Sequence, residues 1–191
     1  MAAWGGCGYL AAPKSSLRAV SVAELDAVPE TRLKGMLADC CGSSRWVETM
    51  VERRPFRSRH LLLATADEVW RSLEHRDWLE AFAHHPRIGE RTIDIAQGEG
   101  EGERGSAWSV GEQAGVEAAG DDMRDALAQA NLEYERRFGY IHIVCATGKT
   151  AFDILQRIRA RLGNDPDAEI EVAAEEQRMI TRLRIEKLLD G

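Results

Sequence analysis

The sequence predicts an all-α fold: a single-domain helical bundle with one extended segment near residues 140–146. Three observations predict it. Apolar residues recur at helical spacing through most of the chain. Ser or Thr followed three residues later by Glu or Asp stands repeatedly ahead of such runs, the pattern of a reciprocally capped helix start. Tyr140 to Ala146, with Ile141, Ile143 and Val144, has β-like composition, and no second stretch of that kind offers it a strand partner.

The elements follow in order. Residues 1–16, with Gly5, Gly6, Gly8 and Pro13, are expected to be a disordered tail ahead of a domain over residues 17–191. Met1 to Ser16 lacks the basic and apolar regions of a secretory signal, and Leu189-Asp190-Gly191 is not a peroxisomal tripeptide. Ser21-Val22-Ala23-Glu24 is a capping box that opens a short helix. Pro29 suits the first turn of a second, with Leu33, Met36 and Leu37 inward and Gly42 as its expected end. Arg45 to Arg54 should form a third, burying Trp46, Val47 and Met50 and stopped by Pro55. Leu61-Leu62-Leu63 is too short to classify by period. Thr65-Ala66-Asp67-Glu68 is a second capping box, expected to start a helix with Val69, Trp70 and Leu73 inward. Arg76 to His84 should be helical, with Trp78, Leu79 and Phe82 on its core face.

Pro86 biases His85 away from the α region, so the helix should stop there. Gly89 to Gly105 interleaves Gly with Glu and is either a lid or a plain surface insertion. Ser109-Val110-Gly111-Glu112 is a third capping box. The same helix start offers N–H groups and a positive dipole end to an anion. Asp122 to Phe138 forms a long helix with Met123, Ala126, Leu127, Ala130 and Tyr134 inward and Gly139 as its cap. The backbone of the extended segment needs hydrogen-bond partners, and a polar ligand could supply some. Gly148-Lys149-Thr150 is not a P-loop, because Ile143 stands where that motif needs glycine. Thr150 instead caps a helix that buries Ile154, Leu155, Ile158 and Leu162 and ends at Gly163. Asp165 and Pro166 begin the last helix, which runs to about Leu189 with Ile180, Leu183 and Leu188 inward.

Composition narrows the function. The chain has 191 residues, 44% hydrophobic and 30% charged, which suits one domain with its own core. A net charge of −7 argues against nucleic-acid or anionic-membrane partners, though not against a local basic pocket. No apolar run is long enough to span a bilayer. Four cysteines without CxxC spacing indicate neither a disulfide framework nor a zinc site, and a reducing cytoplasm fits. Trp70 and Trp78 are expected in the core rather than as a stacking platform for bases.

The chemistry concentrates at Ala83-His84-His85-Pro86-Arg87-Ile88-Gly89, which holds two of the five histidines at a helix end beside a polar loop. Such a histidine can reach a ligand, or can simply favour the negative end of the helix dipole. Three motifs stand in a telling order: His85-Pro86-Arg87-Ile88-Gly89, then Ser109-Val110-Gly111-Glu112-Gln113-Ala114-Gly115, then Arg137-Phe138-Gly139-Tyr140-Ile141-His142-Ile143-Val144-Cys145-Ala146. In these motifs, and in its C-terminal helix, the chain resembles the family of 2-oxo-4-hydroxy-4-carboxy-5-ureidoimidazoline (OHCU) decarboxylases of urate degradation, from about Val22 to Leu189.

The resemblance implies a cofactor-free, metal-free conversion of OHCU to (S)-allantoin and CO2, in a cytoplasmic homodimer. OHCU carries its own electron sink, a C=N bond beside the carbon that bears the carboxylate. The protein must therefore supply orientation and one proton on one face. By the family pattern His85 handles that proton and Pro86 adds a contact. Glu112 matches the catalytic glutamate. Ser109, Val110, Gly111, Glu112 and Gln113 line the substrate pocket, and His142, Ile143, Val144, Cys145 and Ala146 contribute mostly backbone groups. Arg184 matches an arginine for the carboxylate, against the plain alternative of a solvated helix arginine. His142 departs from the pattern, which leads one to expect an aromatic or apolar residue such as Phe. His60, His75 and His84 look incidental, and Cys145 a small buried hydrophobe rather than a nucleophile. The competing readings are a non-catalytic helical protein that binds a ureide, and a metal-dependent hydrolase using His84, His85, His142 and Glu112. Adjacent histidines diverge on a helix, which weakens the last.

Overall fold

The computed structural model describes residues 19–87, 108, 111–112 and 119–190, and over these the chain forms eight helices and no strand. They are α1 (Val22–Ala27), α2 (Glu30–Cys40), α3 (Ser44–Glu52), α4 (Arg59–Arg71), α5 (His75–Ala83), α6 (Asp121–Phe138), α7 (Ala151–Arg161) and α8 (Pro166–Asp190). The expected tail and the Gly89–Gly105 loop lie outside the described residues.

Local chemistry sets several boundaries as expected. The capping boxes Ser21–Glu24 and Thr150–Asp153 are both formed, opening α1 and α7. Gly139 ends α6 with φ 81°, a conformation only glycine adopts cheaply. Four boundary or burial expectations need correction. Thr65–Glu68 starts nothing: α4 already begins at Arg59, where the Ser58 hydroxyl accepts from Leu61 N at 3.2 Å. Leu62, Leu63, Ala66, Val69 and Trp70 share one buried face, and packing of that continuous face overrides the local box. α2 ends at Cys40, and Cys41 leaves it in extended conformation, so Gly42 is no helix cap. Leu79 is exposed, and Ala81 takes the buried place between Trp78 and Phe82. Ile185, not Leu183, is the fully buried residue in that turn of α8.

Two apolar clusters form the interior. In the first, Leu25, Leu33, Leu37, Trp46, Leu62, Trp70 and Phe82 from α1–α5 close around Ala173, Ile180, Ile185 and Leu188 of α8. The indole N–H groups are satisfied by carbonyls, Trp46 on Ala66 at 3.2 Å and Trp70 on Ala174 at 2.9 Å, so these rings are core. In the second cluster, Leu127 and Tyr134 of α6 pack on Ile154, Leu155 and Ile158 of α7. The extended segment runs between the two. Ile143 faces the first, while Val144 and Ala146 belong to the second. The period of two in extended backbone thus shares one strand-like stretch between two helical layers.

Candidate active site

The last helix draws the distant motifs together. Along α8, Glu176, Gln177, Thr181 and Arg184 are buried polar residues set among Ala173, Ala174, Ile180, Ile185 and Leu188. A polar side chain on a buried helix face needs a partner. Each of the three motifs supplies one.

The first is His85. α5 stops at Ala83, and His84 caps it while its Nδ1 lies 2.9 Å from the Glu80 carbonyl. A Cβ on Gly42 would sit 2.4 Å from His84 Cγ, so the α2–α3 corner accepts this ring only because residue 42 is glycine. Glu80 accepts from the Ser44 amide at 3.1 Å and its hydroxyl at 2.6 Å, fastening the same corner to α5. On the far side, Arg87 forms a two-pronged pair with Glu135 of α6 at 2.9 and 3.1 Å. Held between, half-buried His85 places Nε2 2.6 Å from Gln177 Oε1. Burial and the positive charge of Arg184 push its imidazole down to about 3, against the Gln177 hydrogen bond that raises it. The ring is neutral at physiological pH.

The second is Glu112, whose carboxylate is buried. Arg184 donates to it from Nη2 at 3.2 Å and from Nε at 3.4 Å, and Lys187 from Nζ at 2.9 Å. Arg184 also reaches the Asp39 carbonyl at 3.4 Å. It is therefore no solvated helix arginine. Two cations thus meet one buried carboxylate.

The third is the extended segment. The Cys145 N–H donates to Glu176 Oε2 at 2.8 Å, and the Ile143 carbonyl accepts from Arg161 Nη1 at 2.7 Å. Lys149 donates to the Cys145 carbonyl. Side chains of the protein thus answer three of the backbone groups that the sequence left without partners. Arg161 is itself fixed by buried Glu169, at 2.6 Å from Nε, and Glu169 also accepts from the Tyr134 hydroxyl and from Asn164. The Cys145 thiol is pushed up by burial, with Glu176 and Glu112 adding to the effect and Lys149 opposing it. It is half-buried rather than buried, and protonated at neutral pH.

The expected site residues divide accordingly. His85, Glu112, Arg184 and Cys145 are all tied to, or carried by, one stretch of α8 from residue 176 to 187. Pro86 is half-buried beside His85, Gly111 is exposed, and Ile143, Val144 and Ala146 are buried. Ser109, Val110 and Gln113 lie outside the described residues. His142 is turned away. Its ring packs edge-on against Tyr134 of α6, centroids 5.0 Å apart at 82°, and only 3% of the residue is exposed. Neither ring nitrogen has a hydrogen-bond partner among the described residues. Burial, with Arg161 and Arg157 adding, holds its imidazole well below the ordinary value.

The donors that a metal-hydrolase reading needs do not converge. Among the described residues no three His, Cys, Asp or Glu side chains are grouped to hold an ion. An open cavity of about 390 Å³ lies between α2 and α3, bordered by His84, Cys41 and Lys34; its described walls include neither His85, Glu112 nor Arg184. Gln177, Glu176 and Lys187 were not singled out from the sequence. The signal was present, as polar residues at helical spacing on a face otherwise apolar.

Comparison with known proteins bears on the whole arrangement. The family model described as OHCU decarboxylase matches residues 26–186. The uric acid degradation bifunctional protein of Arabidopsis thaliana is 35% identical over 150 residues, covering 78% of this chain and 45% of its own length. This chain thus spans less than half of that relative. The 2-oxo-4-hydroxy-4-carboxy-5-ureidoimidazoline decarboxylase of Amia calva is 33% identical over 142 residues, 71% of this chain and 75% of that one. A crystal structure of OHCU decarboxylase in the presence of (S)-allantoin superposes with a TM-score of 0.69 at 33% identity, covering 82% of this chain and 99% of that one. With its three motifs joined on one helix and a family match across most of its length, the chain belongs to the OHCU decarboxylase family.

Proposed function

We propose that this protein decarboxylates OHCU to (S)-allantoin and CO2 in urate degradation, without a cofactor, using His85 to move the proton. One observation carries the reading: a single buried stretch of α8 binds His85 through Gln177, Glu112 through Arg184 and Lys187, and Cys145 through Glu176.

The chemistry follows from the charges. The Glu112–Arg184–Lys187 cluster brings two cations to one carboxylate, a setting that suits the substrate carboxylate near Arg184. When the bond from the ring carbon to that carboxylate breaks, its electron pair moves into the neighbouring C=N bond, and the ring nitrogen takes up a proton. CO2 leaves, and an enol remains. The enol becomes the ketone when its hydroxyl gives up a proton and the carbon bearing the ureido group gains one. Neutral His85 is fit to accept the hydroxyl proton, and a bound carboxylate would offset the Arg184 field that disfavours imidazolium. Returning the proton from one side makes one enantiomer. Glu112 and the backbone of residues 142–146 orient the hydroxyl and ureido groups, with Pro86 and residues 109–113 completing the pocket.

The reading includes a homodimer in a reducing cytoplasm. Cys40, Cys41 and Cys145 form no disulfide, and no helix of the described residues is long and apolar enough to cross a membrane. His85→Asn tests the proton role: consumption of OHCU above the spontaneous rate should vanish, with an unchanged far-UV spectrum. Turnover near that of the unsubstituted protein would remove His85 from the mechanism.

A further inference from the structure

The Nε2 of His85 meets Gln177 Oε1 at 2.6 Å, and Gln177 is fully buried. The other end of that amide donates to Thr181 Oγ1 at 3.2 Å, one turn along α8. The separation to His85 lies just below the usual N–H···O range and is further still below what an amide nitrogen against a ring nitrogen would need. The carbonyl oxygen can only accept, so Nε2 carries the hydrogen. A neutral imidazole has one N–H, and the bond made by one nitrogen decides what the other can do. Among the described residues, Arg184 and His84 are the other charged or titratable groups acting on this ring, and both disfavour a second proton on it.

We propose that Gln177 is a positioning residue for the decarboxylation: its carbonyl fixes His85 as the Nε2–H tautomer and leaves Nδ1 as the nitrogen that exchanges a proton with the substrate. The catalytic half rests on the function proposed above; the tautomer half stands on the geometry alone. An amide suits the task better than a carboxylate. It orients the ring without adding charge, so His85 stays neutral and able to accept the proton of the substrate hydroxyl. Burial of Gln177 keeps water from competing for the bond, and the Thr181 hydroxyl accepts from the other end of the amide.

The test compares the unsubstituted protein with Gln177→Met, which removes the acceptor at similar length, and Gln177→Glu, which keeps an acceptor and adds a charge. Two-bond ¹H–¹⁵N spectra read the tautomer of His85, assigned by loss of its signals in His85→Asn, and need no substrate. The unsubstituted protein should show Nε2–H, and Gln177→Met a mixture. kcat should fall about 10–100-fold in Gln177→Met, the loss seen when partners that orient metal-bound histidines are removed, while KM changes little. Gln177→Glu should restore the tautomer and part of kcat, with the ionisation seen in the pH–kcat profile moved upward. An Nδ1–H tautomer in the unsubstituted protein, or one unaltered by Gln177→Met, would overturn the proposal. So would equal losses of kcat in both variants that track thermal stability. The expected tautomers in a protein that does not decarboxylate OHCU would sink the proposed function and leave the hold of Gln177 on His85 intact.

Discussion

His142→Phe should stabilise the protein, and more so as the pH falls. In the native state the ring is 3% exposed, edge-on to Tyr134, with no partner for either nitrogen among the described residues. A buried polar group left unpaired costs about 1–3 kcal/mol. Phenylalanine keeps the aromatic contact and removes the unpaired nitrogens, so a gain of about 1–3 kcal/mol at pH 8 is expected. At about 2–4 °C per kcal/mol for a domain of this size, Tm should rise by roughly 2–12 °C. The pH dependence has a definite sign. Burial holds the His142 pKa far below that of an exposed histidine, so the unfolded chain takes up a proton that the folded one refuses. The stability present above pH of about 6.5 is therefore lost as pH falls toward the depressed folded value, by about 1.4 kcal/mol per unit. The advantage of the variant should therefore be larger at pH 5 than at pH 8. Urea unfolding of both proteins at pH 8, 7, 6 and 5 measures it. Phenylalanine has one more ring atom, and overpacking could offset the gain at every pH alike. The refuting result is a stability difference that does not widen in acid, for then His142 is not a neutral, desolvated ring.

Two further substitutions probe the supports of the site. Arg161→Met leaves Glu169 buried without its cation and the Ile143 carbonyl without its donor; a loss of about 3–5 kcal/mol in urea unfolding is expected. Gly42→Ala places a Cβ 2.4 Å from His84 Cγ and should force that ring to move. It should cost about 1–3 kcal/mol and lower kcat through displacement of the neighbouring His85, measured against the thermal stability of the same sample.

What the sequence disclosed depended on range. The Ser21 and Thr150 caps and the Gly139 helix end are interactions within a few residues, and all three formed as expected. The Thr65 box is equally local, yet the apolar face running from Leu62 to Trp70 overrode it. The roles of Gln177, Glu176 and Lys187 depend on partners 92, 31 and 75 residues away, and no spacing rule reaches that far. Resemblance pointed to Arg184, but nothing in the sequence pointed to its engagement with Glu112. His142 stood out as a departure, and only the alternation of the segment between two clusters decides that its ring faces Tyr134.

The central claim is that this protein protonates one face of a decarboxylated OHCU. OHCU prepared fresh decays on its own, and protonation in water from either side gives racemic allantoin. The optical activity of the allantoin formed with and without the protein therefore tests the claim directly. Faster loss of OHCU and an accumulating (S) excess that disappears with His85→Asn are expected. Racemic allantoin formed at the spontaneous rate in the presence of well-folded protein would contradict it.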